Sequence, residues 1–243
     1  MEGETVLQIA ERQEKKQSLY FGLSKGMPIF IGYLPIGFAY GILAIQSNFT
    51  VFETGLMSLL VYAGASQFIA VGMIASSAEI ATIVLTTFLV NLRHMLMSAS
   101  LAQQLQGQSK KRLAAFSFLV TDESFAVNST LLKKDPTTPF ISLFAVNVIA
   151  YIGWFIGGIA GAIIGSQAID VEKYGLDYAL PAMFIILLIF QLENRKSFVL
   201  AFLAGVMSLV LSQFMTHNLH IIIATVVAAT LGVVISRWKM KTL

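Results

Sequence analysis

The chain has no cysteine, which excludes disulfides, thiolate metal sites and a cysteine nucleophile. Charge is nearly as scarce. Asp, Glu, Lys and Arg make up 12% of the 243 residues, against about one quarter in an ordinary soluble domain. Only three histidines occur, and neither Gly-x-Ser-x-Gly nor His-Glu-x-x-His is present, so nothing points to an enzyme. No cofactor is expected. The absence of an ATP-binding signature argues against a self-contained pump. The formal charge of +3 comes from basic clusters at segment ends, a placement that topology selection produces and nucleic-acid binding does not require.

What is plentiful is apolar side chain, 56% of the chain. Eight apolar segments can be marked, at about 27–47, 53–77, 79–101, 111–132, 138–165, 178–192, 197–213 and 218–236. They are too long and too continuous for barrel strands, so helix is the expectation throughout. The reading is an all-α polytopic membrane protein with one transport domain over 27–236. Residues 1–26 form a cytoplasmic tail or surface helix, and 237–243 a second cytoplasmic tail.

Simple alternation across the bilayer fails at Lys110, Lys111 and Arg112. With Arg12, Lys15, Lys16 and Lys25 inside, those three fall outside, against the positive-inside tendency. Two helical hairpins that enter and leave on one side repair the pattern. One is 53–77, broken near Gly64-Ala65-Ser66; the other is 111–132, broken around Thr121–Ser124. Lys133 and Lys134 then also lie inside, and so do Arg195 and Lys196. The expectation is six spanning helices plus two broken hairpins, against an alternative of seven or eight plain spans. Ser66-Gln67 followed by Val90-Asn91, and Ser124-Phe125 followed by Val146-Asn147, hint at an inverted repeat of 53–101 and 111–165, as in many transporters.

Four ionisable residues fall within these segments. A charge at mid-membrane costs about 2.5–3.5 kcal/mol on insertion scales, so it usually marks a pathway or a partner. Asp122 and Glu123 project about 100° apart on a helix. One of them is read as carrying a proton or meeting a substrate ammonium, while the other caps a half-helix or pairs with Arg93. The other reading is a structural ion pair. If Asp122 is the carrier, Asp122→Asn abolishes export. Arg93 offers a planar fork to a carboxylate, and His94 titrates near neutrality; alternatively Arg93 snorkels to the interface. Gly64, Ala65, Ser66 and Gln67 would open the backbone so that half-helix amides meet a carboxylate, or simply pack. Thr121, Ser124, Asn91 and Asn147 complete the candidate pathway, with Gln191 a lesser candidate. His217 and His220 read as solvated. Gly153, Gly157, Gly161 and Gly165 form a stripe for close helix packing, within the subunit or against a partner. Pro28, Pro35, Gly32, Gly37 and Gly41 make the first span prone to kink.

Tyr62-Ala63-Gly64-Ala65-Ser66-Gln67-Phe68, Val90-Asn91-Leu92-Arg93-His94 and Thr121-Asp122-Glu123-Ser124-Phe125-Ala126 occur in that order. With the Gly- and Pro-bearing Gly32–Gly41 stretch, they resemble the successive signatures of the AzlC family of branched-chain amino acid permeases. The third motif often carries Thr where Ser124 stands, and the hydroxyl is kept. The resemblance is specific over about residues 20–165. It implies an exporter of branched-chain and related amino acids in the bacterial inner membrane, with a small hydrophobic AzlD-like subunit as partner. Proton coupling is the expected drive. A cation or small-solute channel, or a transporter of a different small zwitterion, remains the alternative.

Overall fold

The computed structural model describes residues 2–166 and 195–215, with isolated positions between 175 and 192 and between 223 and 232; side chains are described from Arg12 onward. Much of the expected segment 218–236, most of 178–192, Gln191, His217, His220, the Lys196 side chain and the tail 237–243 lie outside the described residues. Two compact units divide the chain, 1–180 and 181–243.

All elements described are helices. In the first unit these are α1 (Glu2–Gln46), α2 (Val51–Leu60), α3 (Gly64–Ala75), α4 (Ile80–Gln104), α5 (Lys110–Phe118), α6 (Asp122–Lys134) and α7 (Phe140–Gly165); in the second, α8 (Arg195–Ser212). Among the described residues, three stretches are long and apolar enough to cross a bilayer: Arg12–Gln46 of α1, α4 and α7. The polar tail and the first span form one 45-residue helix containing both Pro28 and Pro35. The change at residue 26 is therefore one of composition and surroundings, with no backbone break.

The two apolar segments expected to break do so. The first is interrupted over residues 61–63 and the second over 119–121. Their halves, of 10, 12, 9 and 13 residues, are each about 14–20 Å long at 1.5 Å per residue. Each therefore reaches about halfway through a hydrocarbon core of roughly 30 Å. Within each pair the halves diverge from the break and do not lie side by side. Elements run in the same order on both sides of the loop at 105–109: broken helix, then long helix, with α3 packed on α4 and α6 on α7.

The frame of the unit is the pair α1 and α7, which run parallel. A Cβ at Gly22 would meet the Ser142 carbonyl, one at Gly26 would meet Ile149 and Val146, and one at Gly37 would meet the Trp154 carbonyl. From the other side, Gly153 faces Phe30, Gly157 faces Leu34, Gly161 faces Phe38 and Gly165 faces Ile42. The stripe on α7 thus packs within the subunit, glycine surfaces from both helices bringing the backbones together. A further bond ties the lower end, from Ser142 Oγ to the Ser18 carbonyl at 2.8 Å.

Candidate functional site

Both helix breaks come together around the middle of this frame. Trp154 lies 14 residues from one end of α7 and 11 from the other, about 21 and 17 Å along the axis. Tyr33 of α1 packs edge-on against its indole, with centroids 5.5 Å apart.

The second break is closed by its own residues. Thr121 is the N-cap of α6: its hydroxyl accepts from Ser124 N–H, and Ser124 Oγ accepts from Thr121 N–H at 2.9 Å. This reciprocal box satisfies two amides that the helix cannot satisfy itself. Asp122 and Glu123 occupy the first turn, and Lys133 and Lys134 the last, the arrangement that suits the helix dipole. Neither carboxylate caps the helix, and the two have different partners. Asp122 Oδ2 meets Arg93 Nη1 at 2.9 Å. Glu123 Oε2 is hydrogen-bonded to the hydroxyl of Tyr33, which also contacts Thr121 Oγ1 at 2.8 Å. Arg93, Asp122 and Glu123 are only partly buried. Arg93 is therefore engaged with a carboxylate, as one sequence reading had it. His94 stands beside Arg93 and within electrostatic reach of Glu123.

The first break differs. The N-cap position of α3 is Ala63, and no side chain caps the helix among the described residues. The first-turn amides of Gly64, Ala65 and Ser66 are those an α-helix leaves unpaired. Gln67 folds back, its Oε1 accepting from Ala63 N–H (3.2 Å) and from Trp154 Nε1 (3.0 Å). Both donors address the oxygen, which fixes the amide orientation and leaves Nε2 buried without a hydrogen bond. Trp154 also lies against Gly64, where a Cβ would come within 2.7 Å of the ring. Ser66 Oγ donates to Asn91 Oδ1 at 2.7 Å, fastening α3 to α4.

Tyr62, inside the first break, takes a left-handed backbone with φ 41°. Its ring packs on Tyr151 with centroids 4.7 Å apart, and Tyr151 OH donates to the Leu59 carbonyl at the end of α2. The Tyr62 hydroxyl lies beside Thr121 and closes no hydrogen bond. Tyr62 and Thr121 are thus the direct meeting point of the two breaks.

Asn147 has a different place. It accepts from Asn128 Nδ2 at 2.8 Å, and its own Nδ2 donates to the Phe116 carbonyl at 3.3 Å. It therefore ties α5, α6 and α7 together at a distance from the acidic pair. Ala65 packs in the core. Sequence reasoning overlooked Tyr33, Tyr62, Trp154 and Asn128. The one signal for the aromatics was position: Tyr62 precedes the small-residue break, and Tyr33 lies between the two prolines of α1. Among the described residues no cluster of His, Asp and Glu is arranged to hold a metal ion.

Residues 28–168 match the family described as AzlC protein. An inner membrane protein of Escherichia coli, YgaZ, is 30% identical over 181 residues, covering 72% of this chain and 74% of its own. The branched-chain amino acid transport protein AzlC of Bacillus subtilis is 30% identical over 170 residues, 70% of this chain and 66% of its own. An uncharacterized membrane protein of Helicobacter pylori is 27% identical over 198 residues, 82% and 86% of the two chains. No solved structure matches.

Proposed function

The chain belongs to the AzlC family, and on that premise we propose that it is a secondary-type transporter subunit that exports branched-chain or related amino acids, driven by protons. The observation that carries this reading is the chemical contrast between the two half-helix ends. The α3 end is uncapped and offers free amides with a buried donor at Gln67 Nε2. The α6 end is capped by Thr121 and presents Glu123. A zwitterion fits between them, its carboxylate at the positive end of α3 and its ammonium at Glu123. With Asp122 held by Arg93, the proton-carrying role expected of one carboxylate passes to Glu123. Thr121, Ser124, Asn91 and Ser66 shape the site, and Asn147 supports it from behind.

The topology proposed is six spans and two re-entrant broken helices. Parallel packing of α1 and α7 requires an odd number of crossings between them. With α4 spanning, either both broken helices cross or neither does. Keeping Lys110, Lys111 and Arg112 with the basic N-terminal residues selects neither. Both termini then face the cytoplasm of the bacterial inner membrane, and a small hydrophobic AzlD-like subunit completes the transporter.

The test is intracellular leucine, isoleucine, valine and methionine during dipeptide feeding, with the chain expressed alone and with its partner. Lower accumulation with the pair, lost in Glu123→Gln, is expected. Unchanged pools with the intact pair would overturn the export reading. Single-channel currents in place of saturable exchange would favour a channel.

A further inference from the structure

Tyr33 OH touches two oxygens, Thr121 Oγ1 and Glu123 Oε2, but a phenol has one hydrogen to donate. When Glu123 is ionised it only accepts: Tyr33 donates to it, and Thr121 donates to Tyr33. Protonation of Glu123 on Oε2, the oxygen that Tyr33 meets, reverses the order. The Glu123 hydroxyl donates to Tyr33, Tyr33 donates to Thr121, and the Thr121 hydrogen must turn to another acceptor. The Tyr62 hydroxyl is that acceptor: it is 3% exposed as a residue and lies within hydrogen-bonding reach of Thr121, with no bond closed in this geometry.

We propose that Glu123, Tyr33, Thr121 and Tyr62 form a reversible hydroxyl chain, through which proton loading at the α5–α6 break is passed to the α2–α3 break. This rests on the reading of Glu123 as the proton-binding group of a transporter. No covalent bond other than O–H changes, and the proton gained by Glu123 is the only one added. Tyr62 is suited to the receiving role. It holds a left-handed backbone that disfavours a residue with a Cβ, and it sits between two half-helices that share no side-by-side packing. A hydrogen bond available in one protonation state alone gives the first break a preference that depends on the second. The groups facing Glu123 are Tyr33 from α1, Tyr62 from the first break, Arg93 and His94 from α4, and Asp122 from its own helix.

The experiment uses the full chain with its partner in proteoliposomes and compares two rates. One is leucine movement driven by an imposed proton gradient; the other is leucine counterflow without a gradient at fixed pH. In Tyr62→Phe, gradient-driven movement should fall about fivefold to tenfold, the worth of one net hydrogen bond, while counterflow stays within about twofold. Tyr33→Phe, which cuts the chain at its other link, should show the same split and decides the matter if Tyr62→Phe does not accumulate. Equal loss of both rates would mean a structural role and overturn the proposal, as would no loss in either. Undiminished gradient-driven transport in Glu123→Gln would instead remove the underlying assignment of the proton site.

Discussion

Gly161→Ala puts a Cβ 2.0 Å from the Phe38 carbonyl oxygen of α1. That oxygen is backbone and cannot rotate away. To reach the 3.4 Å of ordinary contact, α1 and α7 must part by about 1.4 Å at that level. A gap of 0.5–1 Å already forfeits a quarter to a half of a dispersion well, and the loss extends to the neighbouring contacts at Gly157, Gly165, Gly37 and Gly41. Overpacking of this kind costs about 1–3 kcal/mol. Alanine also gains about 1 kcal/mol of helix propensity over glycine, so the variant must be compared with Gly32→Ala. Gly32 is on α1 with nothing within 4 Å of its missing Cβ, and the propensity gain cancels between the two. The assay is thermal unfolding of the purified chain followed by tryptophan fluorescence. Gly161→Ala should melt below Gly32→Ala by about 2–12 °C, taking 2–4 °C per kcal/mol for a chain of this size. Equal melting temperatures would refute the close parallel pairing, and with it the parity argument for topology.

The absence of cysteine makes topology directly testable: with neither broken helix crossing, Ser77→Cys is labelled from outside by an impermeant maleimide and Gln106→Cys is not. The opposite labelling would mean that both broken helices span. A double-mutant cycle on Arg93→Ala and Asp122→Ala should give a favourable coupling of about 0.5–3 kcal/mol, the single variants each leaving a half-buried charge without its partner; zero coupling would make the pair incidental. Asn147→Leu should destabilise the chain by about 1–3 kcal/mol per orphaned group, at Asn128 Nδ2 and the Phe116 carbonyl, with transport per folded molecule retained. Loss of transport from a fully folded variant would return Asn147 to the pathway.

Lys110, Lys111 and Arg112 pointed to an interruption in the first segment, and Lys133 and Lys134 to one in the second, because simple alternation leaves a basic loop on the wrong side. Small residues at Gly64–Ser66 and cap-forming Thr121 and Ser124 marked where each would fall, within a few residues of the interruptions at 61–63 and 119–121. The cluster of Arg93, Asp122 and Glu123 was legible because ionisable groups are conspicuous in apolar segments. Tyr33, Tyr62 and Trp154 were not, since aromatic residues in apolar helices are commonplace and their hydroxyls acquire meaning only through a distant partner. Asn147 stood out as polar, but its partners, Asn128 and the Phe116 carbonyl, depend on how three helices meet. The glycine stripe announced a close neighbour without saying which; the matching glycines of α1 were read for kinking, and their reciprocal spacing was passed over.

The pairing of α1 with α7 also bears on how the protein is made. Ser18 and Ser142, joined at the base of the pair, are 124 residues apart in sequence, roughly 6–25 s of synthesis at about 5–20 residues per second. During that delay the proline-bearing first helix lacks the helix it packs against most extensively, and α2 and α6 lack the α7 face on which they also rest. Insertion machinery or a separately translated membrane polypeptide must shelter these stretches until the ribosome delivers Phe140 and beyond. Nascent chains stalled ahead of Phe140 should therefore be degraded, while those released after Gly165 should persist.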